Sequence, residues 1–258
     1  MDFHVQQHAR TLALRNPVHV RTGPFVARFN PDWANPMANY AIPDDHAEPS
    51  PADVRALIEV FRDQDRMPRL EFLPGCAPAV EPALRAAGFE VENRAPLMAC
   101  PPGALSAPRP VPGLELFEPR TDEDLFALVV VQHYAYGEPG EPDRQAIGRL
   151  RRTYENGGVV LLAVLDGVPA GGGSCSSPVD GLTELAGVAV AEPLRRRGVG
   201  AAVAARLTEL AFERGFRLPW LEPSGEESER VYAGIGYRTI GEKLNISLPG
   251  DHGVGGDV

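Results

Sequence analysis

Apolar residues recur three or four positions apart in two segments of the chain, and this spacing predicts an amphipathic helix in each half. The apolar positions are Val54, Leu57, Ile58 and Phe61 in the first half, and Val199, Val203, Leu207 and Leu210 in the second. Alanines fill much of the remainder of the second segment, and alanine has the highest helix propensity.

Further segments of the second half, separated by Gly/Pro-rich turns, predict strands and shorter helices. The predicted strands cover residues 114–117, 159–165, 170–177, 182–190 and 217–221, with a closing hairpin over 237–248. The predicted helices cover residues 122–134, 144–154 and 226–235. Consecutive strands joined by tight turns and mixed with helices indicate an α+β (mixed α/β) fold with a mostly antiparallel central sheet.

The two halves of the chain are related by an internal duplication. Residues 69–91 align without a gap with residues 217–239, and each copy reads strand, loop, short helix and a Gly-aromatic pair. A segment rich in Pro and small residues, Ala104–Gly113, separates the halves as a linker would. We therefore expect one domain over residues 1–108, a second over 109–250 and a flexible tail over 251–258.

The start of the second amphipathic helix has an unusual composition. Arg195, Arg196 and Arg197 precede it, although a helix N-terminus repels each nearby cation by about 0.3 to 1 kcal/mol. Gly198 and Gly200 lack Cβ atoms, so backbone N–H groups there can approach an anion closely. The sequence favours a phosphate-binding loop, with a solvated basic turn as the alternative.

The first half has no such loop. In the register of the duplication, residues 47–52 stand opposite, with neither arginine nor glycine. Ser50 is a predicted N-cap, Pro51 suits the first turn, and Asp53 complements the helix dipole. Only the C-terminal copy therefore predicts an anion site.

Composition excludes several classes of protein. A net charge of −10 and a pI near 5.1 argue against nucleic acid or an anionic membrane as the main partner. Cys76, Cys100 and Cys175 are odd in number and lack a C-x-x-C pair, so we expect buried thiols and no metal site. No cationic leader and no run of eighteen apolar residues occurs, so we expect a cytoplasmic protein.

Two segments of the second half resemble one known family. Residues 184–203 are similar to the acyl-CoA signature of the GNAT superfamily of N-acyltransferases, whose pyrophosphate loop R/Q-x-x-G-x-G/A is matched by Arg195, Gly198 and Gly200. Residues 228–237 match the family's Tyr ahead of a Gly-aromatic pair. The resemblance covers residues 114–248. It implies a GNAT-like fold, acetyl-CoA as co-substrate, and a tandem arrangement in which the first copy is truncated and degenerate.

The resemblance also implies which residues contact the co-substrate. Backbone groups of Val188, Ala189 and Val190 would hold its pantetheine arm, and an N–H near Val190 would polarise the acetyl carbonyl. Contacts are further implied for Arg195, Arg196, Arg197, Gly198, Val199, Gly200, Ala201 and Ser228. Gly225 departs from the family pattern, which commonly has Asn or a similar polar residue in this loop.

Glu184 and Tyr232 are the candidate base and acid. Even spacing along one predicted strand places Glu184 on the same face as Val188 and Val190, where burial would raise its pKa and make it a better base. The alternative for Glu184 is a solvent-facing carboxylate. Tyr232 would protonate the leaving thiolate, with simple packing under the sheet as its alternative. The first half has Leu84 at the aligned position.

Together these features predict an N-acetyltransferase that moves an acetyl group from acetyl-CoA to a primary amine by direct attack in a ternary complex. We expect a small-molecule or peptide amine as acceptor, and a monomer or homodimer. Three aromatic residues near a Gly/Pro-rich loop, His133, Tyr134 and Tyr136, are candidates for an acceptor pocket or for core packing. The alternative function is a non-catalytic acyl-CoA-binding or scaffold module; a third possibility keeps the enzyme and changes the acyl group.

Overall fold

A computed structural model describes residues 2–31 and 33–249. The α-helices are α1 (Asp2–Arg15), α2 (Pro51–Asp63), α3 (Val80–Ala86), α4 (Asp122–Ala135), α5 (Ile147–Glu155), α6 (Val199–Glu213) and α7 (Glu226–Gly234). The strands are β1 (His19–Thr22), β2 (Phe25–Arg28), β3 (Tyr40–Pro43), β4 (Arg69–Phe72), β5 (Glu90–Ala99), β6 (Leu114–Phe117), β7 (Val159–Leu165), β8 (Val168–Cys175), β9 (Leu182–Val190), β10 (Leu218–Leu221) and β11 (Arg238–Ser247).

Residues 97–239 form one of two compact units. Its strands lie in the order β6-β7-β8-β9-β10, followed by the end of β5. All neighbouring pairs are antiparallel except β9 and β10, which are parallel. This pattern confirms the predicted mixed α/β class with a mostly antiparallel sheet.

Helices cover both faces of this sheet because β7 is apolar on both sides. Val160 and Leu162 pack with α4 and α5, whereas Val159 and Leu161 pack with α6. Successive side chains of a strand point to opposite faces, so α4 and α5 lie on one face and α6 lies on the other. The apolar stripe predicted for α6 is buried as expected.

Among the described residues, the other unit contains 2–31, 33–96 and 240–249. Its strands lie in the order β1-β2-β3-β4-β11, with β3 and β4 parallel and the remaining pairs antiparallel. Three antiparallel strands, a helix and a parallel strand thus occur in both units. Helix α2 begins at Pro51 and α6 at Val199, in the register of the sequence duplication, and the described part of this unit has no counterpart of β6.

The boundaries of the two units differ from the domain boundaries expected near residue 108. Most of β11 belongs to the N-terminal unit, where Leu244 pairs with Phe72. The end of β5 belongs to the C-terminal unit, where Ala99 pairs with Trp220. Each unit is therefore completed by a strand from the other half of the chain. The expected tail, residues 251–258, lies outside the described residues.

Two further expectations can be compared with the structure. The prediction of a closing hairpin is wrong. Residues 238–247 form one continuous strand, and no turn interrupts this segment. Cys76, Cys100 and Cys175 are buried thiols that form no disulfide bond within the described residues, and their burial is as predicted. Among residues 2–31 and 33–249, no helix is both long and apolar enough to cross a lipid bilayer.

Candidate active site

Strand β9 is irregular where it passes α4. Its pairing with β8 shifts by one residue between Gly172 and Ser174, which is a β-bulge, and Gly187 on β9 has a φ of 65°. Glycine adopts this left-handed backbone conformation without the steric cost of a Cβ. The bulge therefore depends on the glycine in the middle of this strand.

Beyond the bulge, the backbone of β9 faces an open edge. The β9–β10 pairing is confined to Leu182, Thr183 and Glu184. Ala191 N donates to Ala170 O at 2.9 Å, so in an antiparallel ladder the alternate residue Val190 directs its N–H and C=O away from β8. We call this side of β9 the open side.

Side chains hold the carbonyl oxygens at the bulge and beyond it. Gln132 Nε2 donates to Gly187 O at 2.8 Å, and the Tyr136 hydroxyl donates to Val188 O at 3.3 Å. Arg195 Nε donates to Val190 O at 3.2 Å. These three contacts occupy carbonyl oxygens of β9, including that of Val190. The backbone group of Val190 that is left for a ligand on the open side is therefore its N–H.

Helix α6 begins beside this edge without a side-chain cap. Its N-cap residue, Gly198, has a φ of 90°, and among the described residues this helix has no side-chain cap hydrogen bond. Helix α2 is built differently, because Ser50 accepts from Asp53 N and Asp53 accepts from Ser50 N, as the sequence predicts. Uncapped N–H groups and the helix dipole together favour an anion.

The three arginines before α6 have different environments. Arg195 contacts two backbone carbonyls, Val190 O and Ala135 O, the latter at 3.1 Å. Arg197 lies 4.0 Å from the exposed Asp166 carboxylate. Arg196 has a φ of 59° and is exposed. Arg196 and Arg197 therefore remain the guanidinium groups most available to an anion, whereas Arg195 fixes the loop to α4 and β9.

The remaining predicted contact residues are distributed around the same edge. Val199 is buried in the core under α6, and Ala201 packs against that core. A Cβ on Gly200 would lie 3.5 Å from a Val190 methyl group, an ordinary contact. Ser228 uses its hydroxyl within the protein, accepting from Gly225 N at 3.1 Å and donating to Gly225 O at 2.8 Å, so it caps α7.

Tyr232 lies on α7 and is 9% exposed. Its ring packs against that of Tyr237 with centroids 5.9 Å apart, and the Tyr237 hydroxyl is hydrogen-bonded to Thr208 on α6 at 2.8 Å. Burial, with a smaller effect from Tyr136, raises the pKa of Tyr232 well above its usual value. The Tyr232 hydroxyl is therefore protonated at neutral pH and can act as a proton donor.

Glu184 does not share a face with Val188 and Val190, and the prediction that it does is wrong. Leu185, Val188 and Val190 pack on the α6 side of the sheet, so Glu184, next to Leu185, points to the α4 side. The bulge inserts one residue between them, which reverses the alternation of side chains. Glu184 and Tyr232 therefore lie on opposite faces of the sheet.

Gln132 is the site residue that the sequence reasoning missed. Its partner Gly187 is 55 residues away, so no local pattern links them. A signal was nevertheless present, because an isolated glycine within a strand such as Gly187 often marks a bulge. The run Gly171–Gly173 on β8 is a second signal, since Cβ atoms on Gly171 and Gly173 would crowd the β9 backbone.

A bulged strand, a parallel neighbour paired only at the start of that strand, and an uncapped helix N-terminus thus occur together in the C-terminal unit. Residues 123–237 match the model of the acetyltransferase (GNAT) family. The C-terminal unit thus contains the segment that matches this family, in agreement with the sequence resemblance. A search of curated proteins found no match to the sequence.

Solved structures with a similar fold include proteins described as acetyltransferases. A GCN5-related N-acetyltransferase from Kribbella flavida superposes with a TM-score of 0.80 and 25% identity, and the match covers 98% of each chain. A putative GNAT-family acetyltransferase from Novosphingobium aromaticivorans has a TM-score of 0.57 and 18% identity, covering 92% of this chain and 96% of its own.

A third neighbour bears on the duplication. A tandem GNAT protein from the clavulanic acid biosynthesis pathway has a TM-score of 0.61 and 15% identity, covering 91% of this chain and 85% of its own. At that identity the similarity concerns the fold alone. Because the match covers 91% of this chain, the shared fold extends into the N-terminal unit.

Proposed function

We propose that this protein is an N-acetyltransferase that transfers the acetyl group of acetyl-CoA to a primary amine by direct attack in a ternary complex. The observation that carries the proposal is the uncapped start of α6 beside the open side of β9, within a GNAT domain. The N-terminal unit has the same helix but closes its first turn with Ser50 and Asp53. Acetyl transfer is therefore proposed for the C-terminal unit alone.

The groups at the start of α6 fit a pyrophosphate. The N–H groups of Val199, Gly200 and Ala201 form the uncapped first turn, and Arg196 and Arg197 add two exposed guanidinium groups. Phosphates are bound by such oriented N–H groups together with arginine. In this proposal these residues hold the diphosphate of CoA, and Arg195 positions the loop through its hydrogen bonds to Val190 O and Ala135 O.

Acetyl-CoA, when bound, supplies the acetyl group as a thioester. The N–H of Val190 points to the open side and is placed to donate a hydrogen bond to an acyl carbonyl oxygen, which favours attack at the carbonyl carbon. Glu184, on the α4 face, accepts the proton of the amine directly or through water. Tyr232, on the α6 face, donates its hydroxyl proton to the departing thiolate. The two proton transfers thus occur from opposite faces of the sheet.

The proposed activity can be tested by incubating the protein with acetyl-CoA and a panel of primary amines and measuring the free thiol that is released. The panel should include small-molecule and peptide amines, and at least one should yield an N-acetylated product by mass spectrometry. Tight acetyl-CoA binding without any product across the panel would favour a non-catalytic acyl-CoA-binding module. Propionyl-CoA and longer thioesters test the acyl group in the same assay.

Replacement of Tyr232 by Phe tests the acid. We expect kcat to fall by roughly 10² to 10⁴, the usual contribution of a general acid, while the Kd of acetyl-CoA stays nearly constant because the ring remains. Tyr237→Phe is the matched control, since it removes a buried hydroxyl 2.8 Å from Thr208 in the same aromatic pair. An unchanged kcat in Tyr232→Phe would assign Tyr232 to packing.

A further inference from the structure

Gln132 is buried, and within the described residues its side-chain amide nitrogen is hydrogen-bonded whereas its amide oxygen is not. It lies in the last turns of α4 and is 6% exposed. Its Nε2 donates to Gly187 O at 2.8 Å. Its Oε1 is buried and has no hydrogen-bond partner in the described part of the chain. The orientation of the amide follows from the first contact, because two carbonyl oxygens facing each other would repel.

Stability does not explain this arrangement. A buried acceptor without a partner is costly, and the cost can equal or exceed the gain from the single hydrogen bond that Gln132 makes. An apolar side chain of similar length would remove the unpartnered oxygen, although it would also remove the donor to Gly187 O. A buried polar group without a partner calls for an explanation in a native structure, and a catalytic role is one of them. Within the part of the chain that the structure describes, the one polar contact of Gln132 is with the bulge residue of β9.

A second residue of α4 acts on the same part of β9. The Tyr136 hydroxyl donates to Val188 O at 3.3 Å, one residue beyond the contact of Gln132. Tyr136 is the C-cap residue of α4, so both donors come from one helical turn and reach adjacent carbonyls. We call Gln132 and Tyr136 the α4 clamp.

We propose that the α4 clamp positions the β9 bulge for catalysis, with Gln132 as its main residue. The clamp engages the carbonyl oxygens of Gly187 and Val188 and thereby fixes the direction of the Val190 N–H. Gln132 and Tyr136 are positioning residues, because they act through the backbone of β9. This inference rests on the proposed acetyl transfer, in which the Val190 N–H polarises the acyl carbonyl.

Gln132→Met is the decisive variant, since methionine has a similar length and no polar amide. We expect its Tm to change little, because removal of the unpartnered Oε1 offsets the loss of the hydrogen bond to Gly187 O. We expect kcat to fall by roughly 10- to 100-fold, as small misplacements of reacting groups do, while the KM of the amine changes little. A merely structural residue would lower Tm and leave kcat per folded molecule unchanged.

Amide hydrogen exchange gives a readout that does not depend on turnover. In Gln132→Met, peptides covering residues 187–190 should exchange at least tenfold faster than in the wild type, with the rest of β9 unchanged. Tyr136→Phe should show a smaller effect in the same peptides. Ser174→Ala is the matched control: its hydroxyl contacts Ala186 O at 3.3 Å, just before the bulge, and its loss should change neither kcat nor exchange.

Three outcomes separate this inference from the proposed function. Wild-type kcat in folded Gln132→Met, or unchanged exchange at residues 187–190, would overturn the clamp while leaving acetyl transfer intact. A lower Tm in Gln132→Met with equal kcat would assign the residue to stability and also overturn the clamp. An inactive wild type would refute the proposed function, and the exchange experiment would still decide whether Gln132 holds the bulge.

Discussion

Charge reversal at Arg197 tests the anion site at α6 most directly. Arg197 immediately precedes the N-cap residue Gly198. It forms an ion pair with Asp166 at 4.0 Å, and both side chains are about half or more exposed. Gly198 itself is a poor position for a test, because its φ of 90° would strain any other residue. Arg197→Glu changes the charge at the same place without that strain.

The stability of the unliganded protein should hardly change in Arg197→Glu. An exposed ion pair contributes about 0 to 1 kcal/mol, so little is lost with the Asp166 contact. A carboxylate near a helix N-terminus contributes about 0.3 to 1 kcal/mol in the opposite direction. These effects offset each other, so the free energy of unfolding should stay within about 1 kcal/mol of the wild type.

The effect on acetyl-CoA binding should be much larger. Hydrogen bonds to charged groups contribute about 1.5 to 3 kcal/mol, so loss of an arginine–phosphate contact should raise Kd by roughly 10- to 100-fold. At a ligand concentration of about 100 times the wild-type Kd, ligand stabilises the wild type by about 2.7 kcal/mol. At the same concentration the variant should gain only about 1.4 to 0.4 kcal/mol.

Thermal or urea unfolding with and without acetyl-CoA measures both quantities. Arg55→Glu, on the exposed side of α2 in the N-terminal unit, is the matched control because it changes the net charge from −10 by the same amount. The control should keep the full ligand-induced stabilisation. If Arg197→Glu keeps it as well, the phosphates do not bind at the start of α6 and the reasoning is refuted.

Two further predictions concern proton transfer and pH. Glu184→Gln should lower kcat with little change in the Kd of acetyl-CoA; an unchanged kcat would exclude Glu184 as the base. Burial raises the pKa of the Cys175 thiol from 9.0 to about 12, so the folded state keeps its proton while the unfolded chain loses it. The contribution of this thiol to the free energy of unfolding should therefore be fully present below pH 9. It should decrease by about 1.4 kcal/mol per pH unit between pH 9 and pH 12. Urea unfolding at several alkaline pH values should show a smaller slope in Cys175→Ala, and equal slopes would contradict this account.

Much of the fold follows from local patterns in the sequence. The apolar stripes of α2 and α6 predict both helices because one face of each must be buried. Strands β7 and β9 have the bounds that the alternation of apolar runs and turns predicts. The duplication predicts that α2 and α6 are equivalent, and the contrast between Ser50 and Gly198 predicts that only one of them has an uncapped start.

Local patterns did not predict the contacts made across the fold. Glu184 was expected on the face of Val188, and the bulge at Gly187 moved it to the other face. Such a shift depends on which β8 residues oppose β9, and the strand's own spacing does not contain that information. The Arg195 side chain was expected at the co-substrate, yet it donates to two backbone carbonyls.

The sequence by itself determined the elements, the duplication and the loop with an anion-binding composition, because these depend on residues close together in the chain. Only the tertiary structure decided which strand completes each unit and which side chains hold the open side of β9. Gln132 and Gly187, or Phe72 and Leu244, meet because the sheet brings distant segments together. These residues form their hydrogen bonds and packing contacts only after that assembly. The contacts therefore cannot be predicted from the spacing of the residues along the chain.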